Sequence, residues 1–148
     1  MPPKIENRKA RFDYEVLETI EAGIELKGTE VKSVRAGKVS LAESFGRIRG
    51  GELFLYGCEI SPYENAGYAH HDPTRPRRLL LHSREIARLA GKVSQKGLTI
   101  IPVRMYFKRG WVKVLLALAR GRQRYDKREA IKKREQKREI RRALSQRR

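Results

Sequence analysis

Two runs in the last third of the chain alternate apolar and polar side chains with period two. In the first, Ile101, Val103, Met105 and Phe107 share a face; in the second, Val112, Val114, Leu116 and Leu118 form the answering face. That period predicts two half-buried strands joined by a turn at Lys108-Arg109-Gly110. Pro102 cannot donate a ladder hydrogen bond, so its strand is expected to be an edge or bulged there. An earlier run from Asp13 to Glu21 puts Tyr14, Val16 and Ile20 on one side and acids largely on the other. Ala22-Gly23 interrupts it before Ile24-Glu25-Leu26 resumes, which predicts a bulge or bend at Gly23. Phe45 to Arg49 and Glu52 to Tyr56 flank Gly50-Gly51, the pattern of a hairpin with a two-residue turn. Arg78 to Leu81 reads as a short buried strand with a basic lead-in.

Two segments switch to helical spacing. Thr29 is placed to cap a short helix in which Val31 and Val34 share a face, Glu30 complements the positive end and Gly37 stops it. Ser83 is placed to cap a second helix, with Ile86, Leu89, Ala90 and Val93 at i, i+3, i+4 and i+7 and Gly97 at its end. Residues 61–77 carry three prolines together with Tyr63 and Tyr68 and read as a long surface loop. About six strands with two or three short helices give a mainly β fold, a small closed barrel with flanking helices. The chain divides into a loose basic arm (1–12), the barrel (13–120) and a basic tail (121–148).

Charge changes the picture most at the C-terminus. From Arg120 to Arg148 there are 14 Lys or Arg against 4 Asp or Glu, so about +10 of the chain's +18 lies in a fifth of its 148 residues. Glu129/Lys133, Glu135/Arg138 and Glu139/Arg142 have helical pair spacing, yet Ile131, Ile140 and Leu144 are the only large aliphatics, so there is no face to bury. The tail is expected to be frayed when free and to become helical in a groove of opposite charge. A pI near 10.6 argues for nucleic acid over membrane, since no apolar run reaches spanning length, no signal peptide is visible and the tail lacks an apolar face. The single cysteine, Cys58, cannot form an internal disulfide, consistent with a cytoplasmic protein.

The sequence offers no catalytic constellation. Glu15, Glu18 and Glu21 alternate along a strand as solvent-facing positions, His82 stands alone after an apolar strand, and no phosphate-cradling glycine loop occurs. His70-His71-Asp72 lacks the further ligands a metal needs. The expectation is a non-enzymatic binding protein without metal or cofactor.

From NRKARFDYEVLETIEAGIELKGTEVKSVRAGKVSL through DPTRPRRLLLH to RMYFKRGWVKVLLALARGRQRYDKRE, the chain resembles the bacterial small protein B family, the SsrA (tmRNA)-binding proteins of trans-translation. The resemblance implies an oligonucleotide-binding-type (OB) β-barrel that holds the tRNA-like domain of tmRNA and stands in for its missing anticodon arm. The positions matching the family's tmRNA contacts are Glu21 of EAG and Leu80 and His82 of LLLH. The basic residues Arg8, Arg11, Lys32, Arg35, Lys38 and Arg78 match more loosely.

The same resemblance assigns Gly121, Arg122, Gln123, Arg124, Tyr125, Asp126, Lys127, Arg128, Lys132 and Lys133 to the decoding centre and empty mRNA channel of a stalled ribosome, against small-subunit ribosomal RNA. Elongation factor Tu and alanyl-tRNA synthetase are implied only indirectly, through tmRNA, and a monomer is expected. Gln123 stands where the family often has Lys, and Tyr125 where many members have His. Tyr125 can still stack on a base but cannot become a cation near neutral pH. Three other readings compete with it: a ribosomal protein with a permanently threaded tail, an RNA-modifying enzyme and a general nucleic-acid-coating protein.

Overall fold

The computed structural model describes residues 3–62, 71–121 and 134–142. In chain order its elements are β1 (Ile5–Glu6), α1 (Arg8–Asp13), β2 (Tyr14–Ile24), α2 (Gly28–Arg35), β3 (Val39–Ser40), β4 (Phe45–Arg49), β5 (Glu52–Tyr56), β6 (Glu59–Ile60), β7 (Arg77–Leu80), α3 (Ser83–Lys96), β8 (Thr99–Lys108) and β9 (Trp111–Gly121).

β8 and β9 form the expected hairpin, with Lys108 opposite Trp111. Arg109 and Gly110 turn it with φ of 52° and 81°, and Gly50 and Gly51 turn the β4–β5 hairpin with 56° and 78°. Both are two-residue turns with left-handed backbone, the type whose twist matches that of paired strands. β2 lies along the other edge of β9, β7 follows β2, and β5 and β4 follow β7. Gly46 of β4 then meets Ile100 of β8, which closes six strands into a ring. Glycine suits that closure, because a Cβ at residue 46 would lie 2.7 Å from Ile100 Cγ2 and force a shift. β3 and β6 pair separately.

Leu53, Leu55, Leu79, Met105, Val114 and Leu116 fill the interior, each at most 1% exposed. Val34 from α2 and Ile86 and Leu89 from α3 pack onto them. Gly37 and Gly97 end their helices at φ 75° and 61°, as the sequence indicated. The caps differ by a residue or two: Lys27 and His82 occupy those positions, and their backbone N–H groups donate to Glu30 Oε1 and Glu85 Oε1. Thr29 is therefore inside α2, and Ser83 is the first residue of α3.

Two irregularities interrupt the ladders, one away from its expected place and one at it. The β2–β9 register slips between Val16 and Glu18, leaving β2 continuous through Gly23. The β8–β9 register slips between Pro102 and Arg104. The bulge expected near Pro102 is thus present, and it reverses which side chains point inward. Ile100 and Met105 face the main core, while Ile101 and Val103 pack outside it with Ala10, Tyr14, Ala117 and Ala119.

That outer cluster explains why the N-terminus is not a loose arm. Asn7 donates from its backbone N–H to Val103 O and from its amide to Pro102 O, both at 2.8 Å, using carbonyls at the bulge. Its side chain also accepts from Ala10 N and caps α1, whose Ala10 is buried. β1 then pairs with the free edge of β8, Ile5 opposite Met105.

The end of the 61–77 segment also departs from a surface loop, for His71 and Arg77 are buried. Residues 134–142 are helical and exposed, where a frayed tail was expected. Good helix formers and the Glu135/Arg138 and Glu139/Arg142 spacing favour helix there, and the Arg134 guanidinium sits 4.3 Å from the centre of the Phe12 ring. Tyr63, Tyr68, His70 and residues 122–133 lie outside the described residues.

Candidate RNA-binding surface

The sheet's alternation decides what the outside of the ring presents. Along β9, Val112, Val114 and Leu116 face the core, so Trp111, Lys113 and Leu115 face out. Register supplies their neighbours: Lys113 has Tyr106 of β8 on one side and Gly23 of β2 on the other, and Leu80 of β7 lies beyond Gly23. Glu21, two residues before Gly23, shares that face opposite Leu115. A Cβ at residue 23 would approach Leu80 Cβ to 3.2 Å, so the glycine keeps the middle of this row flat.

The first turn of α3 rises at one end of the row and turns it into a groove of about 540 Å³. Glu21, Arg78, Leu80 and His82 all line it, joined by Gly23 and Lys113. Four positions assigned from sequence, spread over 62 residues of chain, thus converge on one concave surface. The other five do not: Arg8 and Arg11 lie on α1, Lys32 and Arg35 on α2 and Lys38 just after it, all exposed. Arg11 is 3.6 Å from Glu6, and the Arg35 guanidinium lies 5.4 Å from the Phe107 ring centre. Gly121 ends β9 opposite Tyr14, and the remaining tail positions assigned from sequence lie outside the described residues.

Glu21 is held ready to accept. The Tyr106 hydroxyl donates to its Oε2, and Lys108 Nζ lies 3.2 Å from Oε1. The tyrosine hydrogen bond holds the carboxyl below its ordinary range against a smaller cost of burial, with help from Lys108 and the charge of Lys113. Burial, reinforced by the carboxylate, pushes the Tyr106 phenol up to about 12, so it stays a donor. Oε2 accepts from both Tyr106 and Lys108, whereas Oε1 accepts from Lys108 alone and keeps a further lone-pair direction, enough to receive a base N–H or a ribose hydroxyl. Arg78 reaches Glu52 at 3.3 Å across the exposed rim.

The other acids of β2 also hold cations: Glu18 binds Arg88 at 2.7 Å and Lys92 at 2.6 Å, tying α3 to β2, and Glu15 lies 3.6 Å from Arg120. His71 is a strut. Its Nε2 donates to the carbonyl of Ile60 at 2.9 Å, since a carbonyl can only accept, and Nδ1 lies 2.9 Å from the Thr29 hydroxyl. Cys58 is fully buried, and burial pushes its thiol up to about 11, which leaves it a packing residue. Among the described residues no helix is long and apolar enough to cross a membrane.

The SmpB protein family model matches residues 4–146. The chain belongs to the SmpB family. The SsrA-binding protein of Trichodesmium erythraeum is 57% identical over 142 residues, covering 95% of this chain and 91% of that protein. The SsrA-binding protein of Carboxydothermus hydrogenoformans is 57% identical over 139 residues, covering 94% and 93%. A solved chain described as "tmRNA-SmpB: a journey to the center of the bacterial ribosome" superposes with a TM-score of 0.70 at 58% identity, covering 87% of this chain and 94% of that one.

Sequence reasoning missed Lys113, Tyr106 and Trp111. The signal was available: once Val112, Val114 and Leu116 are assigned inward, parity puts Trp111 and Lys113 on the outside. Their approach to Leu80 depends on β2 lying between β7 and β9, which no local pattern contains.

Proposed function

We propose that this chain is an RNA-binding factor of trans-translation. It binds the tRNA-like domain of tmRNA, completes its tRNA shape in place of an anticodon arm and delivers it to stalled ribosomes for rescue and peptide tagging. The observation that carries the reading is 58% identity, with 87% of this chain covered, to the chain described as "tmRNA-SmpB: a journey to the center of the bacterial ribosome". The groove supports it, since a carboxylate, an aliphatic, an imidazole and cations together suit exposed loop bases and their backbone better than a small metabolite.

In this reading Glu21, Leu80 and His82 contact loop bases or sugar hydroxyls. Arg78 and the more distant Arg8, Arg11, Lys32, Arg35 and Lys38 bind phosphates. The tail from Gly121, through Tyr125 to Lys133, probes the decoding centre and the empty mRNA channel, and the protein works in the cytoplasm as a monomer without a catalytic step of its own.

Titration of the full-length chain with the isolated tRNA-like domain, an unrelated tRNA and an unstructured single strand tests it. Preference for the tRNA-like domain that survives rising salt is expected, together with a loss on replacing Glu21, Leu80 and His82 by Ala while the fold persists. Equal binding to all three RNAs with parallel salt slopes would instead indicate a nucleic-acid-coating protein.

A further inference from the structure

Trp111 is 74% exposed, the most solvent-open of the large hydrophobic residues described. It does not stand alone. A second cavity of about 360 Å³ adjoins the Glu21 groove, shares Gly23, Leu80 and Lys113 with it and is walled by Leu26, Val31 and Trp111. Leu80, itself 46% exposed, forms part of both. The result is a continuous surface, polar at Glu21 and His82 and apolar toward the indole.

The turn beside the indole adds charge. Lys108 stands opposite Trp111, and Arg109 follows at φ 52°, where Gly or Asn fits with less strain. A cation is therefore carried next to the aromatic despite its local backbone cost. Lys113 completes a cationic border on the same face of β9. An exposed aromatic among cations, beside the groove whose Glu21 Oε1 keeps an open acceptor direction, matches a nucleotide: a π face for the base and positive charge for the phosphate.

We propose that Trp111 stacks on an unpaired RNA base, with Leu80 and Leu26 as the apolar wall of the same pocket, and that the neighbouring nucleotide occupies the Glu21 groove. The proposal rests on the RNA-binding reading above and adds a contact to it. Trp111 does not hold the fold together, since its side chain is mostly in water, so its replacement leaves stability intact.

Trp111 is the only tryptophan, so its emission reports directly on the site. Full-length protein is titrated with the tRNA-like domain while labelled-RNA anisotropy measures binding independently. Emission quenched in step with saturation is expected. Trp111→Phe should bind within about twofold of the original, whereas Trp111→Ala and Trp111→Leu should each bind about tenfold more weakly, the loss of one base stack. Saturable RNA binding with unchanged emission, and full affinity in Trp111→Ala, would overturn the stacking contact while leaving the RNA-binding reading in place. Equal affinities for the Leu and Phe variants would reduce the residue to bulk apolar contact and also overturn it. Emission that responds to ribosomes but not to this RNA would assign the surface to another partner. Absence of RNA binding by anisotropy would sink both readings.

Discussion

The carboxylate of Glu30 and the guanidinium of Arg77, both fully buried, meet with Nε 2.6 Å from Oε2. Arg75 adds its Nη2 at 2.5 Å, and Lys27 its backbone N–H at 2.7 Å. Arg77 also donates to Cys58 O at 2.7 Å and Pro73 O at 3.0 Å. α2, β7 and the segment leading into β7 are thus joined through one charged cluster.

Removing the acid strands a buried cation. Glu30→Ala should destabilise the fold by about 3–5 kcal/mol, whereas Arg75→Ala, at the solvent edge of the cluster, should cost about 1–2 kcal/mol. Urea unfolding of the two variants checks the ranking. Equal losses would mean that Arg77 is held by its carbonyl partners alone.

The same pair sets an acid limit. Burial pushes the Glu30 carboxyl up, but Arg75, the Lys27 N–H and Arg77 together outweigh it and leave it below the ordinary 4.5. A lowered folded value means that this contribution is present in full above about 4.5, shrinks as the pH falls past that point and is gone below the folded value. Thermal melts between pH 7 and pH 3 should be level at the upper end and fall steeply below 4.5, and Glu30→Gln should flatten that fall.

Two glycines should respond to alanine in opposite directions. At residue 46 the added methyl meets buried Ile100 at the ring's closing pair and should cost about 1–3 kcal/mol. At residue 91, inside α3 with nothing within 4 Å, it should stabilise by about 0.5–1 kcal/mol. Denaturation midpoints of Gly46→Ala and Gly91→Ala decide both.

On the proposed function, Tyr125→Ala should leave binding of the tRNA-like domain unchanged while lowering peptide tagging on stalled ribosomes. Tagging at the original rate by the variant would remove Tyr125 from the decoding contact.

Much of the fold could be read from local pattern because its causes are local. Gly50-Gly51 between short alternating runs could only be a tight turn, and the spacing from Ile86 to Val93 with Gly97 beyond it could only be a capped helix. The bulge near Pro102 was legible from its missing N–H, but the slip in β2 was not: whether Leu17 or Gly23 breaks a ladder depends on the partner strand's register. Glu30 read as a charge at a helix end because Arg77, its partner, lies 47 residues away inside what looked like a loop. Within the site, Glu21, Leu80 and His82 came from family resemblance, whereas Lys113 and Tyr106 needed the order of the strands.

β9 is paired along nearly its whole length on both edges, from Trp111 at one end to Gly121 at the root of the tail. Lys113 and Gly121 are separated by at most about 26 Å of strand. A pull between an RNA held at one end and a tail held at the other would therefore load two rows of hydrogen bonds in shear, all at once. The strand is a tension member, and the gauge length between the two grips is built into the ring.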